Sequence, residues 1–285
     1  MRIFLTCVSL FLLCLTCAAA LPTEIVNAED MLKQAEAAWR KGNRTEAIAM
    51  CTQVILADPK NRNAWALRGR YHHETRQDAK AVADFDEVIQ RDKLAAGIYQ
   101  LRGWSQFRLG KFEDAIADFD KFIAIVPAQA PHHWQRGIAC YYAGRFADGK
   151  KQFETHQTVN PHDVENAVWH FLCNARLTSV ERARAEIIAI TGDARVPMKQ
   201  VHALFAGKAK PEDVLKAAEA AGTDAASRND PQFYAHLYLG LYYEAAGDAL
   251  KTREHITKAA TEFKSDHAMG DVARVHAELL KKRKK

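Results

Sequence analysis

The sequence contains few of the residues that interrupt regular structure, with 8 Pro and 14 Gly among 285 residues. An all-β chain needs many tight turns, so this shortage argues against a β fold and favours helices. Hydrophobic residues make up 48% of the chain and charged residues 26%. That composition is typical of a globular protein with a sizeable core, and it excludes fibrous and disordered classes.

The chain also lacks a clear excess of one charge. Its net charge is +5, but the last five residues and Arg2 together carry six positive charges, which leaves −1 for residues 21–280. A nearly neutral body argues against nucleic acid as a partner. The basic run itself is either a solvated terminus or a weak contact for an anionic surface. It consists of Lys281, Lys282, Arg283, Lys284 and Lys285.

Long apolar runs are missing beyond Ala20, so no stable membrane insertion is predicted for the rest of the chain. The one such run, Ile3 to Leu15, follows Arg2 and precedes three alanines at 18–20. That order predicts a signal peptide over residues 1–20 and export to a periplasm or the cell exterior, an uncleaved anchor being the alternative. Cys17 follows Thr16, a poor residue before a lipidated cysteine, so lipid anchoring at Cys17 is not expected.

Cysteines are scarce once the leader is set aside. Cys51, Cys140 and Cys173 remain, an odd and widely spaced set that forms no disulfide framework, and we predict buried, inert thiols. Asn43 begins a glycosylation sequon that matters only in a eukaryotic source.

Motifs of catalysis and metal binding are also missing. The 12 histidines include no pair at the i, i+4 spacing of a helical zinc site, and there is no phosphate-binding glycine loop. We therefore predict no catalytic residues, no metal and no cofactor, and an enzyme is the least favoured class. Asp84 and Asp86, like Asp118 and Asp120, lie two apart on predicted helices and diverge, which favours exposed ion pairs over an acid pair for catalysis.

What the sequence does contain is a motif that repeats every 34 residues. Glycines recur at 69, 103 and 137, and phenylalanines recur with the same step at 85, 119 and 153. A unit of this length is typical of stacked helix pairs, in which a small residue on the first helix lets the second approach closely. Gly42, Gly110 and Gly144 fall between predicted helices, where a left-handed backbone ends a helix.

These units resemble the tetratricopeptide repeat (TPR). The segments "AWALRGRYHH", "IYQLRGWSQF" and "HHWQRGIACYY" read as first helices, and "AVADFDEVIQ" and "AIADFDKFIA" as second helices. The resemblance implies an all-α, right-handed superhelical solenoid. We predict four repeats over 28–163, degenerate helical pairs over 164–232, a further repeat over 233–266, and a capping helix with the basic tail over 267–285.

The order of parts, with "VWHFLCNARL" before "YLGLYYEAAGD", is similar to that of bacterial TPR lipoproteins of the NlpI type. That resemblance implies an envelope adaptor that dimerises and brings together other proteins.

The predicted function is an exported scaffold that binds a peptide or helix of another protein in its concave groove. A structural homo-oligomer of the cell envelope, such as a homodimer, is the alternative. The predicted partner-binding residues lie on the first helix of each unit, each next in the helical wheel to a residue that packs against the second helix. The alternative for some of the aromatic residues among them is that they pack in the core. The set comprises Arg70, His73, Gln100, Trp104, Phe107, Arg108, Trp134 and Tyr141.

Overall fold

A computed structural model of the chain describes residues 27–221 and 225–282. Within these residues the chain forms helices and turns but no strand, so the predicted all-α fold is confirmed. The predicted signal peptide and residues 283–285 of the basic tail lie outside the described residues. The helices are α1 (Ala28–Arg40), α2 (Arg44–Ala57), α3 (Arg62–Glu74), α4 (Asp78–Arg91), α5 (Ala96–Arg108), α6 (Phe112–Ile125), α7 (Trp134–Tyr142), α8 (Phe146–Gln157), α9 (Val164–Leu177), α10 (Val180–Ala185), α11 (Met198–Phe205), α12 (Pro211–Ala220), α13 (Ala225–Ala245), α14 (Ala249–Thr261) and α15 (Ala268–Lys282).

Consecutive helices pack as pairs, and the second, third and fourth pairs each have a glycine where the two helices cross. A Cβ atom added to Gly103 on α5 would lie 2.7 Å from Cε1 of Phe119 on α6. The same contact recurs one period earlier at Gly69 and one period later at Gly137. Because no side chain fits at these crossings, the periodic glycines and phenylalanines of the sequence mark the places where the two helices of a unit touch.

The turns within the pairs also repeat. Gly42, Gly110 and Gly144 have φ angles of 88°, 75° and 78°, which confirms the predicted left-handed caps. The second pair departs from the pattern, since Arg76 stands one period after Gly42 and adopts φ 56°.

A series of ion pairs joins neighbouring helices with the same period. Arg68 donates two hydrogen bonds to Asp84, and Arg102 donates two to Asp118. The side chains of Asp84 and Asp118 are only 5% exposed, so the prediction that these acids form exposed ion pairs is wrong for them. Asp86 is 47% exposed and does pair at the surface, with Arg102.

Two regions differ in how their cores are built. The first helix pairs enclose small separate clusters, such as the one around Cys51 and Tyr71. From Trp104 onward a single apolar core continues through α9 and α13 to Leu280 on α15. The helix α15 packs on α14, as expected of a cap, and it also reaches α5.

The three cysteines beyond the predicted leader are free and buried, as predicted. Burial raises the pKa of the Cys51 thiol to about 12 and that of Cys140 to about 11, so both stay protonated at neutral pH. None of the helices in the described residues combines the length and apolar character needed to span a bilayer.

Candidate functional site

The first helices of three successive pairs meet α15 across what we call the inner face, the surface of α3, α5 and α7 that is turned toward α15. Asp271 of α15 lies at the centre of this contact, with its side chain 5% exposed. It accepts hydrogen bonds from Nε of Arg76 at 3.0 Å, Nε1 of Trp104 at 3.1 Å and Arg274 at 2.6 Å. The chain thus places one of its own helices on the inner face.

The charge of Asp271 is balanced by its neighbours. Burial acts to raise the pKa of this carboxyl, but the hydrogen bond from Arg274 and the charge of Arg108 hold the pKa below its ordinary value. Arg108 also donates to Asp78 at 2.8 Å and to Nδ1 of His73 at 2.8 Å. Since Nδ1 of His73 accepts that bond and burial lowers its pKa to about 3, this histidine is neutral. Together these groups fix α15 on α5 and on the turn after α3.

Four of the predicted partner-binding residues lie together in this contact. Trp104 stacks on Phe107 with ring centroids 4.6 Å apart, and Phe107 is fully buried. Arg108 and His73 join them through the hydrogen bonds to Asp271, Asp78 and Ser105. These side chains are therefore covered by the chain itself, and partner binding by them stays a prediction.

The other four are distributed differently. Tyr141 is buried and donates its hydroxyl to Glu244 on α13 at 3.1 Å, so it belongs to the core. Arg70 is exposed and Gln100 is half-buried, and their role stays a prediction. Trp134 is half-buried, and its ring meets Trp104 edge-on at 6.0 Å.

Trp134 lines an open cavity beside the start of α15. The cavity has a volume of about 470 Å³ and lies between α7, α8, α9, α13 and α15. Four aromatic side chains contribute to its wall, those of Trp134, Phe153, Trp169 and Tyr234. Two carboxylates, Asp163 and Glu165, also line it. Its size falls within the range of about 300–1,000 Å³ that is usual for ligand sites.

The carboxylates are positioned by the start of α9. Asp163 is the N-cap of this helix and accepts from the backbone N–H of Glu165 at 3.1 Å. Arg195 bonds Asp163 and Glu165, and the hydroxyl of Tyr238 donates to Glu165 at 2.6 Å. Burial raises the pKa of Glu165 above its ordinary value, although the charge of Arg195 opposes the shift.

Two buried polar groups beside the cavity have no hydrogen-bond partner among the described residues. They are the amide oxygen of Asn166 and the indole N–H of Trp169, and both residues line the cavity. Unpaired buried polar atoms are costly, so a ligand in the cavity that bonded these two would gain affinity.

Sequence reasoning missed Asp271, Asp163, Glu165 and Trp169. Asp271 carries no periodic signal, because it belongs to a single helix outside the repeats. Asp163 could have been predicted as an N-cap, because Asp often precedes an apolar helix. Nothing in the sequence, however, places the start of that helix beside Trp134.

The family model of the tetratricopeptide repeat matches residues 32–97 and 100–154. These parts of the chain are tetratricopeptide repeats. A TPR protein from Parabacteroides merdae superposes with a TM-score of 0.58 at 14% identity, covering 89% of this chain and 98% of that one. The crystal structure of MamA protein gives 0.53 at 16% identity, covering 70% and 97%. A second MamA structure gives 0.50 at 18% identity, covering 65% and 96%.

At these identities the likeness establishes the TPR fold, which is a scaffold for protein–protein interaction. No curated protein matches the sequence. The resemblance to adaptors of the NlpI type is not among these findings and stays a prediction. In the described part of the TPR chain, no group of three or more His, Cys, Asp or Glu side chains is placed to hold a metal ion.

Proposed function

We propose that this TPR protein is an exported adaptor that binds a segment of a partner protein in the cavity beside α15, with Trp134 as the anchoring ring. The observation that carries the proposal is the cavity itself, an open site of about 470 Å³ with Trp134 in its wall. Trp134 is the one member of the predicted set that lines it.

The chemistry of the wall favours a peptide. Half-exposed tryptophan and tyrosine rings are the side chains that most often dominate protein interfaces, because they bury much apolar area with little loss of conformational entropy. A partner peptide would cover Trp134 and Tyr234, both half-buried in the free protein. On the inner face α15 already contacts Trp104 and Arg108, which supports the cavity as the place where a short segment is accepted.

Binding can be tested with a phage-displayed library of random linear peptides selected on the immobilised protein. We expect enriched peptides to lose about 30-fold in affinity on Trp134→Ala, equivalent to about 2 kcal/mol for a central anchor. Trp65→Ala is the matched control, since Trp65 is also half-buried, does not line the cavity and donates to the carbonyl of Pro59. Peptides that bind both variants as they bind the original protein would refute the proposal.

Export is part of the proposal and rests on the order of Arg2, the apolar run and Ala18–Ala20. N-terminal sequencing of the natively produced protein should begin at Leu21, or at Glu29 if the second small-residue site is used. A mature protein that begins at Met1 would refute export with cleavage.

A further inference from the structure

We infer that the cavity accepts a basic side chain, lysine or arginine, of the bound peptide, between the carboxylates at the start of α9 and the aromatic wall. This inference rests on the proposed function and names the chemistry of the segment that the site selects.

The first argument is the balance of charge. Three carboxylates, those of Asp163, Glu165 and Asp193, surround the guanidinium of Arg195. Arg195 is the only cation that forms an ion pair with any of them in the described part of the chain, so two negative charges remain uncompensated. A cation entering the cavity would therefore meet a favourable potential.

The second argument is the aromatic wall. A cation within about 6 Å of the face of a tryptophan or tyrosine ring is attracted by the ring's quadrupole. The structure already contains one such pair at this site, with the guanidinium of Arg195 6.0 Å from the centroid of Tyr234. Trp134 and Trp169 supply two further rings on the wall, so an alkyl-ammonium or guanidinium side chain finds both apolar and electrostatic contacts.

The third argument is the pair of unsatisfied polar groups. The amide nitrogen of Asn166 is used twice, donating to the carbonyl of Phe153 at 3.1 Å and to Gln157 at 2.8 Å. Its oxygen is left as an acceptor, and the indole N–H of Trp169 as a donor, in residues 2% and 1% exposed. A peptide carries N–H and C=O groups that can satisfy both, which a free inorganic cation cannot do.

The chain's own basic tail cannot supply this side chain to its own cavity. Ala268, the first residue of α15, lines the cavity, and the helix runs to Lys282. At about 1.5 Å per residue, Lys282 lies about 21 Å from Ala268, whereas the three residues beyond Lys282 span at most about 11 Å. The occupant that we propose is a basic segment of another chain.

The test uses pools of N-acetylated hexapeptide amides in which one central position is fixed as Lys, Arg, norleucine or Glu. Binding to the full protein is measured by fluorescence anisotropy at low and physiological salt. We expect the Lys and Arg pools to bind at least about 10-fold more tightly than the norleucine pool, with a difference that shrinks as salt is raised.

Two variants locate the charge. Asp163→Asn keeps an N-cap side chain for α9 but removes one negative charge, and Glu165→Gln keeps an acceptor for the hydroxyl of Tyr238. Each should weaken Lys-pool binding about 10-fold and leave the norleucine pool unchanged. Asp248→Asn is the matched control, since Asp248 caps α14 in the same way and does not line the cavity.

The outcomes separate the two proposals. If the norleucine or Glu pools bind as tightly as the Lys pool and still depend on Trp134, the inference is overturned and the proposed function stands. If no pool binds in a Trp134-dependent way, both are overturned. Selective binding of a peptide with the sequence of residues 278–285 would support the basic side chain and identify a second copy of this chain as its source.

Discussion

Arg76 adopts a left-handed backbone conformation. At the equivalent turns of the first, third and fourth pairs, the residue in this conformation is glycine. A left-handed φ costs a residue with a Cβ atom about 1 kcal/mol relative to glycine, so its side chain must make contacts that offset the strain. Arg76 does so by bonding Asp271 and the backbone carbonyl of Asp266, 195 and 190 residues later in the chain. The irregular residue of the repeat is therefore one of those that hold α15 on the array, together with Trp104 and Arg108.

We expect Arg76→Ala to destabilise the protein more than Arg76→Gly, by about 1 kcal/mol. Both substitutions remove the bonds to Asp271, but only alanine keeps the strain of the left-handed backbone. Urea denaturation of the two variants measures the difference. Gly42→Ala is the control for the backbone strain alone, because a Cβ atom added at Gly42 would have no atom within 4 Å. We expect this substitution to lower the free energy of unfolding by a similar amount. Equal stability of the two Arg76 variants would contradict this account.

The element that decides the shape of the site is α15. Its buried residues include Val272, Val275 and Leu280 on the apolar side and Asp271 on the polar side. It contacts both its neighbour α14 and the distant α5, so it fills the inner face at one end and forms the edge of the cavity at the other. A single helix thus determines which part of the array remains open.

Removal of residues 267–285 should lower the melting temperature by several degrees or more. The deletion exposes the apolar side of α14 and leaves the buried Arg108 without one of its two carboxylate partners. Removal of residues 281–285 alone should leave the melting temperature unchanged, since Lys281 and Lys282 are exposed. Differential scanning calorimetry of both truncations checks this, and equal melting of the two would show that α15 contributes no stability.

The helix pairs could be predicted from the sequence because their contacts are local and repeated. The crossing of Gly103 with Phe119 joins two helices that are adjacent in the chain and recurs at the same offset in the units on either side, so a single sequence displays the pattern several times.

The place of α15 could not be predicted in this way. The bond between Arg76 and Asp271 occurs once and spans 195 residues, and it depends on how far the array curves. The cavity escaped prediction for the same reason, because its wall combines α7 with α9, α13 and α15.

At the scale of the whole molecule, buried histidines make folding sensitive to acid. Burial is the largest cause of a lowered pKa at each of them. They are His72, His73, His133, His170, His236 and His255. In the unfolded chain the same groups titrate near pH 6.5. Below that pH the unfolded state binds more protons, so the free energy of unfolding falls as the pH is lowered toward about 4.

A single histidine, His133, allows one part of this loss of stability in acid to be measured by itself. It is 2% exposed, packs between Phe119 and Phe122, and both ring nitrogens have no hydrogen-bond partner among the described residues. Burial lowers its pKa to about 4, which makes its contribution at most about 3 kcal/mol between pH 6.5 and pH 4. We expect His133→Phe to melt higher than the original protein at pH 5, by a margin that decreases toward pH 7.5. His162→Gln, at an exposed position, is the control, and parallel melting curves for His133→Phe and the original protein would contradict the prediction.

The contact between Arg76 and Asp271 also bears on the order in which the chain can fold during synthesis. The first helix pairs need only sequence-local contacts, so they can form while later segments are still being translated. Asp271 is translated 195 residues after Arg76 and 163 residues after Arg108, so Arg76, Trp104 and Arg108 acquire this partner only after the repeats have been made. Throughout elongation the nascent array therefore presents an uncovered strip of tryptophan and arginine. A chain in which α15 has not yet been made is in consequence the form in which this strip is open to chaperones, and the docking of α15 is the event that closes it.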